Sequence, residues 1–220
     1  MSIQNTIQAI QSTLPPTAQL IAVSKTFPES DIEQAYTTGI RDFAENKVQE
    51  LTRKYENLPK DIRWHFIGHL QTNKIKYIAS FVHLIHGVDS LKLLAAINKE
   101  AAKNERIIPC LLQFHIAQED TKFGLSLPEA EELLQSKEYN NLHNIEIHGV
   151  MGMASYTNDE TQVSGEFQEL FDIFTSLQQK FFADKAYFKE LSMGMSHDYR
   201  IALQHGATLL RIGSTIFGNR

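Results

Sequence analysis

The fold is decided by a short stretch near the start of the chain, Leu20-Ile21-Ala22-Val23-Ser24-Lys25, an apolar run of strand length that ends in a lysine. Similar runs recur along the chain and alternate with longer segments of helical period, which is typical of a parallel sheet covered by helices. The predicted strands are 20–24, 42–44, 64–67, 82–87, 107–114, 145–150, 190–192 and 209–212. Eight parallel strands close a barrel, so we predict an α/β fold, a TIM (β/α)8 barrel.

Residues 2–14 precede the first strand and have an apolar stripe of Ile3, Ile7 and Ile10, which ends before Pro15-Pro16. This pattern predicts an extra amphipathic helix packed on the outside or bottom of the barrel. The chain has 220 residues, the size of a single barrel, and neither a Gly/Ser linker nor a solenoid-length repeat interrupts it. We therefore expect a single domain over residues 1–220.

Composition excludes several classes of function. Lys and Arg number 21 against 26 Asp and Glu, for a net charge of −5, and the basic residues are dispersed, which argues against nucleic acid as a partner. No apolar stretch reaches the roughly 18 residues of a membrane span, and the amino terminus has no secretion or import signal. A cytoplasmic location is expected. The single cysteine, Cys110, lies in a predicted strand, so we expect a buried, inert thiol and no intrachain disulfide.

Two features at opposite ends of the chain suggest chemistry. Lys25 follows the first strand, where the carboxyl ends of barrel strands form the mouth of the barrel, and an amine there can condense with an aldehyde. After the last strand, Gly213, Ser214 and Thr215 offer backbone N–H groups and hydroxyls to a phosphate, with Ser196 nearby in the preceding loop. The competing explanations are a lysine that reaches into solvent and a plain helix-capping turn.

Arg211 lies in the last strand and is expected to point into the barrel, where a permanent cation needs a partner. That partner could be a pyridine nitrogen, which an arginine donor would keep unprotonated, or it could be an acidic neighbour. The pyridine alternative, taken with the lysine and the phosphate turn, suggests a site for pyridoxal 5′-phosphate, abbreviated PLP.

Asn46 and His65, at or just after strand ends, are interpreted as polar groups lining the mouth, although structural hydrogen bonding would explain either one. His65 and His69 are four residues apart, but the intervening glycine and strand-like composition argue against a helical metal-binding face. We therefore predict no metal site, and the role of His69 stays open.

Methionines follow two other predicted strands, at 151–153 and 193–195. A thioether can pack against a flat aromatic ring, so we include Met193 among the candidate cofactor contacts, with ordinary loop packing as the competing explanation. A charged loop contains Glu119, Asp120 and Lys122, and the sequence does not decide whether it gates a ligand or is only solvated.

With these residues in view, the chain resembles the YggS/PROSC family, the pyridoxal phosphate homeostasis proteins. The resemblance covers nearly the whole chain after the first helix, in five ordered motifs. These are Ile21-Ala22-Val23-Ser24-Lys25, Phe43-Ala44-Glu45-Asn46, Trp64-His65-Phe66-Ile67-Gly68-His69-Leu70-Gln71, Leu191-Ser192-Met193-Gly194-Met195-Ser196 and Arg211-Ile212-Gly213-Ser214-Thr215-Ile216-Phe217-Gly218.

The resemblance implies a barrel like the amino-terminal domain of alanine racemase, of PLP fold-type III, with PLP held as a Schiff base, an internal aldimine, on Lys25. It implies further contacts to the phosphate from Ser196, Gly213 and Ser214, to the pyridine nitrogen from Arg211, and to the pocket from Asn46 and His65. No residue is expected to be catalytic.

An amino acid racemase of this fold needs a base on each face of the substrate, and in alanine racemase the second is a tyrosine supplied with a carboxyl-terminal domain that this chain is expected to lack. We therefore expect a monomeric carrier for intracellular PLP homeostasis and delivery, without robust catalysis, whose partners are PLP and PLP-dependent apo-enzymes. One alternative is a small PLP-dependent racemase that uses Tyr36, Tyr156 or Tyr199. Another is a barrel enzyme that binds a phosphorylated sugar through a lysine Schiff base.

Overall fold

Eight parallel strands close into a barrel in a computed structural model of the chain, which describes residues 2–119 and 123–218. Each strand pairs with its neighbours in sequence, and β8 pairs with β1 to close the ring. The strands are β1 (Gln19–Val23), β2 (Asp42–Glu45), β3 (Arg63–Phe66), β4 (Leu84–Val88), β5 (Ile108–Phe114), β6 (Ile145–Gly152), β7 (Glu190–Met195) and β8 (Leu209–Ile212). The predicted TIM barrel is confirmed.

Helices surround the barrel and carry the chain from one strand to the next. They are α1 (Ile3–Gln11), α2 (Glu29–Tyr36), α3 (Val48–Asn57), α4 (Leu91–Lys103), α5 (Leu127–Gln135), α6 (Lys137–Asn140), α7 (Glu160–Phe181), α8 (Tyr199–Gln204) and α9 (Ser214–Phe217), with a 3-10 helix at Thr72–Tyr77. The predicted extra helix is α1, which Ser2 caps and which packs on α2 and α9. Ser90 and Ser126 cap α4 and α5 as their sequences indicate.

Most of the apolar core lies between the strands and the helices. Strand residues such as Phe43, Trp64 and Leu112 point outward and pack against helix residues such as Leu51 and Ile97. This is the core that the alternating pattern of apolar strands and amphipathic helices predicts. Over the described ranges, no helix combines the length and the apolar character that a bilayer crossing requires.

The inside of the barrel has a different composition. A small apolar cluster of strand residues fills part of it, and it comprises Ile21, Val23, Ala44, Leu84, Leu111, Met151 and Leu209. Buried polar side chains occupy much of the rest, among them Asp42, His65, His86, Ser192 and Arg211. Because strand side chains alternate in direction, these two sets identify the inward-facing positions of each strand.

The two ends of the barrel differ. We call the end at which the strands finish the mouth and the opposite end the floor. At the floor, a cavity of about 80 Å³ is lined by Gln19, His65, His83, Leu84, Pro109, His148, Glu190 and Leu209, several of which are first residues of strands. In barrels of this kind ligands bind at the mouth, so the residues that follow the strands are the ones to examine.

Candidate functional site

Lys25 lies at the mouth, two residues beyond the end of β1, and is half-buried. Val23 points into the barrel and Ser24 points outward, where its hydroxyl donates to the carboxylate of Glu45 over 2.7 Å. Lys25 follows in a turn that the N–H of Phe27 closes on the carbonyl of Ser24, and the alternation of β1, carried on to this turn, predicts a lysine on the inner side. Asn46 holds the corresponding place beyond β2, since Val23 is paired with Ala44 across the two strands.

The backbone on both sides of Lys25 is held by helix α3. The Nζ of Lys54 donates to the carbonyl of Ser24 over 2.9 Å, and the N–H of Thr26 donates to the carboxylate of Glu50 over 2.6 Å. Thr26 has φ = 68°, in the left-handed region that a β-branched residue rarely adopts. Such a conformation costs about 1–3 kcal/mol and persists only where the surroundings enforce it.

The amine that holds this turn is itself fully buried. Lys54 Nζ lies 2.8 Å from Oε1 of Glu45 and 2.8 Å from Oε1 of Glu50. Burial raises the pKa of the Glu45 carboxyl, and the neighbouring charge of Lys54 opposes that rise. A lysine, two carboxylates and the Ser24 hydroxyl thus form one compact cluster, which we call the α3 clamp, directly behind the turn that carries Lys25.

The loop after β8 gathers donors for an anion. The backbone N–H groups of Gly213 and Thr215 both point at the hydroxyl oxygen of Ser196, each over 3.3 Å. A Cβ at position 213 would lie 3.0 Å from the carbonyl oxygen of Val23, so this loop rests against the end of β1. Two N–H groups that converge on one oxygen are an arrangement that suits a phosphate.

Arg211 lies inside the barrel, only 4% exposed. Its Nη1 donates to the hydroxyl of Ser192 over 2.6 Å, and its Nη2 donates to the carbonyl of Gly152 over 2.9 Å. Within residues 2–119 and 123–218 it has no carboxylate at ion-pair distance, so the structure does not show the predicted alternative of an acidic partner. Burial lowers the pKa of the guanidinium to about 10, and the charge of Asp198 partly opposes that shift. It remains a cation at neutral pH.

The whole chain, residues 1–220, matches the family model of the alanine racemase N-terminal domain. A pyridoxal phosphate homeostasis protein of Aquifex aeolicus is 39% identical over 205 residues, which are 92% of this chain and 87% of the relative. The chain belongs to the pyridoxal phosphate homeostasis protein family. The resemblance seen in its five motifs is thereby confirmed.

Solved structures agree with this family. PipY of Synechococcus elongatus PCC7942, solved with PLP bound, superposes with a TM-score of 0.88 at 33% identity, over 99% of this chain and all of PipY. Alanine racemase of E. faecalis shares the fold alone, with a TM-score of 0.74 at 12% identity, over 99% of this chain and 58% of the racemase. The prediction of an alanine racemase-like barrel is confirmed.

The structure corrects the position of one predicted member of the family's pocket. His65 is the third residue of β3 and lies toward the floor, where its Nε2 is 3.1 Å from the carboxylate of Asp42. The prediction that it lines the mouth is therefore wrong in position, because its ring points into the barrel and lines the cavity at the floor. Ile67, two residues further on, packs on the inner cluster and takes the place at the mouth.

Met193 does not lie at the mouth, where it was predicted to contact the ring of the cofactor. It is fully buried in the core between strands and helices, because its neighbour Ser192 faces inward and Met193 therefore faces outward. The thioether on the inner side at the mouth belongs to Met153, which is partly buried against the inner cluster. The motif gave the strand correctly but not the direction of its side chains.

The remaining predicted positions are distributed around the mouth. Ser196 and Gly213 are half-buried, and Ser214 is exposed at the start of α9. His69 is an exposed residue stacked on Phe123. In the charged loop, Glu119 accepts from the N–H of Tyr156 over 3.0 Å, which ties the loops after β5 and β6 together. Asp120 and Lys122 lie outside the described residues.

Several functional candidates were not found from the sequence. In the sequence, Lys54 and Glu50 have the i, i+4 spacing of an ordinary ion pair on an amphipathic helix, and His86 and Ser192 lie within predicted strands. The floor also brings donor atoms of Asp42, His65 and His83 within 4.8 Å of one another. The Asp42 carboxylate, however, already accepts from Arg63 and His65, so we assign it to a hydrogen-bond chain described below.

Proposed function

We propose that this protein binds pyridoxal 5′-phosphate at the mouth of the barrel, holds it as a Schiff base on Lys25, and serves intracellular PLP homeostasis and delivery without robust catalysis. The observation that carries the proposal is that Lys25, which follows β1 at the mouth, lies beside the end of β8, where two backbone N–H groups converge on the Ser196 hydroxyl. The cofactor named for the family's relatives has an aldehyde and a phosphate, which match these two features.

The donor set supports the fit of the whole cofactor. The loop at Gly213 offers N–H groups and hydroxyls, with no acidic side chain among its residues 213–217, as a phosphate requires. Arg211 has a permanent charge and donates but cannot accept, so it suits an unprotonated ring nitrogen. When bound, PLP would supply an electron-withdrawing ring conjugated to the imine, and an unprotonated ring nitrogen weakens that electron sink.

The residues of this chain have three tasks in such a site. Lys25 would supply the amine that condenses with the aldehyde, with the carbonyl oxygen and the two amine protons lost as water, and the addition of water would reverse the condensation on release. The α3 clamp fixes the backbone on both sides of the lysine, and the loop at Gly213 would bind the phosphate. A half-buried lysine leaves the imine open to exchange, which supports storage and delivery more than retention.

The positions of the candidate tyrosines also favour a carrier over the racemase alternative. Tyr36 is bonded to Asp61 on the outside of the barrel, and Tyr199 packs against the outer core. Tyr156 is near the mouth but is 84% exposed and stacks edge-on against His197. A base that must hold a proton against one face of a substrate needs a fixed position, which an exposed loop residue does not have.

The decisive experiment is borohydride reduction of protein loaded with PLP, followed by mass analysis of its peptides. Hydride adds to the carbon of the imine and leaves a stable secondary amine, so the peptide that contains Lys25 should carry the label. Lys25→Ala should abolish labelling, whereas Lys47→Ala, which removes an exposed lysine beside the same mouth, should preserve it. Label on another peptide, or a Lys25 peptide without label, contradicts the proposal.

Delivery is tested by mixing the loaded protein with an apo form of a PLP-dependent enzyme and following the recovery of its activity. We propose a cytoplasmic monomer, so sedimentation should give the mass of one chain in both the free and the loaded state. Steady racemisation of alanine or serine by the purified protein would favour the racemase alternative. A colourless protein that takes up no PLP would favour the enzyme acting on a phosphorylated sugar.

A further inference from the structure

A continuous chain of buried polar groups runs through the barrel from Arg211 toward the floor. Arg211 Nη1 lies 2.6 Å from Ser192 Oγ, and Ser192 Oγ lies 2.9 Å from Nδ1 of His86. Nε2 of His86 is 2.9 Å from Nδ1 of His65, whose Nε2 is 3.1 Å from the carboxylate of Asp42. All five residues are at most 4% exposed, so they are withdrawn from bulk solvent and their polar groups bond to one another.

The two ends of this chain determine the direction of every hydrogen bond in it. A guanidinium only donates, so the Ser192 oxygen accepts from Arg211 and its hydrogen must point to Nδ1 of His86. His86 then carries its proton on Nε2 and donates to Nδ1 of His65. His65 in turn carries its proton on Nε2 and donates to Asp42. The series of donors that begins at Arg211 must end on a group that only accepts, and the carboxylate of Asp42 is such a group.

The opposite direction fails. It would need protons on Nδ1 of both histidines, so Ser192 would accept from His86 as well as from Arg211, and the Ser192 hydrogen would have no acceptor in the chain. It would also leave His65 Nε2 either unprotonated against a carboxylate or protonated as an imidazolium. Burial lowers the pKa of His86 well below its ordinary value, which agrees with a neutral ring in the middle of the chain.

We propose that Ser192 and His86 are positioning residues that hold the Arg211 guanidinium in one orientation, as a hydrogen-bond donor to the ring nitrogen of PLP. This inference rests on the proposed function. The Ser192 hydroxyl donates its hydrogen to Nδ1 of His86 and therefore presents a lone pair to Nη1 of Arg211. The carbonyl of Gly152 accepts from Nη2. These two hydrogen bonds set the plane of the guanidinium. Because His86 accepts from the Ser192 hydroxyl, that hydroxyl keeps its lone pair directed at Nη1.

The first test needs no cofactor. Nitrogen NMR of protein labelled with 15N in its histidines should show His65 and His86 as neutral rings with the proton on Nε2 at pH 7. Ser192→Ala removes the donor to Nδ1 of His86, while Asp42 still fixes the proton of each ring on Nε2, so the Nδ1 signal of His86 should move to that of a nitrogen without a hydrogen bond. A wild-type spectrum with the proton on Nδ1 of either ring would overturn the inference.

The second test uses PLP labelled with 15N at its ring nitrogen. In the wild type the signal should be that of an unprotonated nitrogen that accepts a hydrogen bond. In Ser192→Ala and His86→Phe it should move toward the signal of a free ring nitrogen, and the Kd for PLP should rise about tenfold. His86→Gln, whose amide can donate to His65 and accept from Ser192, should restore the wild-type signal and bring Kd within about twofold.

His83→Gln is the matched control. His83 packs edge-on against His65, with ring centroids 5.3 Å apart, but is not bonded into the chain, so its removal should leave the ring-nitrogen signal unchanged. Circular dichroism and thermal unfolding verify that each variant is folded. If the wild type takes up PLP but Ser192→Ala and His86→Phe keep its ring signal, the inference is wrong and the proposed function stands. If the wild type takes up no PLP, both are wrong.

Discussion

The hydroxyl of Ser196 illustrates how single residues prepare this mouth for an anion. Its oxygen accepts from two backbone N–H groups that belong to the loop after another strand. A phosphate oxygen is an acceptor of the same kind and can offer these N–H groups the same contacts. The residue therefore contributes to binding mainly through the position of its oxygen.

Ser196→Ala should weaken PLP binding about tenfold while leaving stability nearly unchanged. Gly213 is half-buried and Thr215 is exposed, so water can replace the lost hydroxyl in the unliganded protein, but the phosphate loses a partner. A PLP titration, with inorganic phosphate as competitor, measures the effect. The control is Ser164→Ala, which removes a half-buried hydroxyl of α7 that is hydrogen-bonded to His205. This variant should bind PLP as the wild type does. Equal Kd values for the two variants would refute the assignment.

Helix α3 acts as a unit on the turn that carries Lys25. It begins just after Asn46, and its residues Glu50 and Lys54 lie one turn apart and reach back to the backbone of Thr26 and Ser24. Lys54 also supplies the counter-charge of the cluster, because its Nζ contacts the carboxylates of both Glu45 and Glu50. One helix thus supplies both the electrostatic balance behind β1 and β2 and the restraint on the turn at Lys25.

Lys54→Met is expected to lower the free energy of unfolding by about 3–5 kcal/mol, because it leaves the Glu45 carboxyl buried without its counter-charge. Glu45 can escape this penalty by taking up a proton, so adding Glu45→Gln should recover part of the loss. Urea denaturation at pH 7 measures both. Lys103→Met, which breaks an exposed pair with Glu100 on α4, should cost no more than about 1 kcal/mol. A loss as small as that for Lys54→Met would contradict the buried ion cluster.

The strands and the place of Lys25 at the mouth could be predicted from sequence because both depend on local patterns: an apolar run, its end, and the polar residue that follows. The α3 clamp could not, since Lys54 has the spacing of a solvated helix residue and only the packing of α3 on β1 and β2 buries it. Ser192 and His86 are 106 positions apart, and their contact requires the side-chain direction in two strands. For β7 that direction is hard to infer, because its register with β8 shifts between Ser192 and Met195.

At the scale of the whole molecule, most of the apolar core lies between the strands and the helices. The inside of the barrel holds a small apolar cluster and the chain of buried polar side chains. The outer core provides most of the stability, so the interior can hold Arg211, two histidines and Asp42 in mutual hydrogen bonds. Burial tends to raise the pKa of Asp42, but hydrogen bonds from Arg63 and His65 hold it well below its usual range. The chain therefore ends on an ionised carboxylate throughout the neutral and mildly acidic range.

This arrangement predicts a stability that falls as the pH drops below about 6.5, the ordinary pKa of histidine. Burial holds the pKa of His86 well below that value in the folded protein, so above pH 6.5 the ring is neutral in both states and has no effect. Below pH 6.5 the unfolded chain binds a proton at His86 that the folded chain does not bind, so the free energy of unfolding decreases by at most about 1.4 kcal/mol per pH unit for this group.

Asp42 stays ionised over this window, and its contribution is lost only at lower pH, as its folded pKa is passed. Urea unfolding between pH 4.5 and 8 should therefore show a plateau above about pH 6.5 and a decline below it. His86→Gln, which keeps the hydrogen bonds but cannot titrate, should make that decline shallower without removing it, because burial also lowers the pKa of His83, to about 4. An identical slope in the two proteins would mean that His86 is protonated as easily in the fold as outside it.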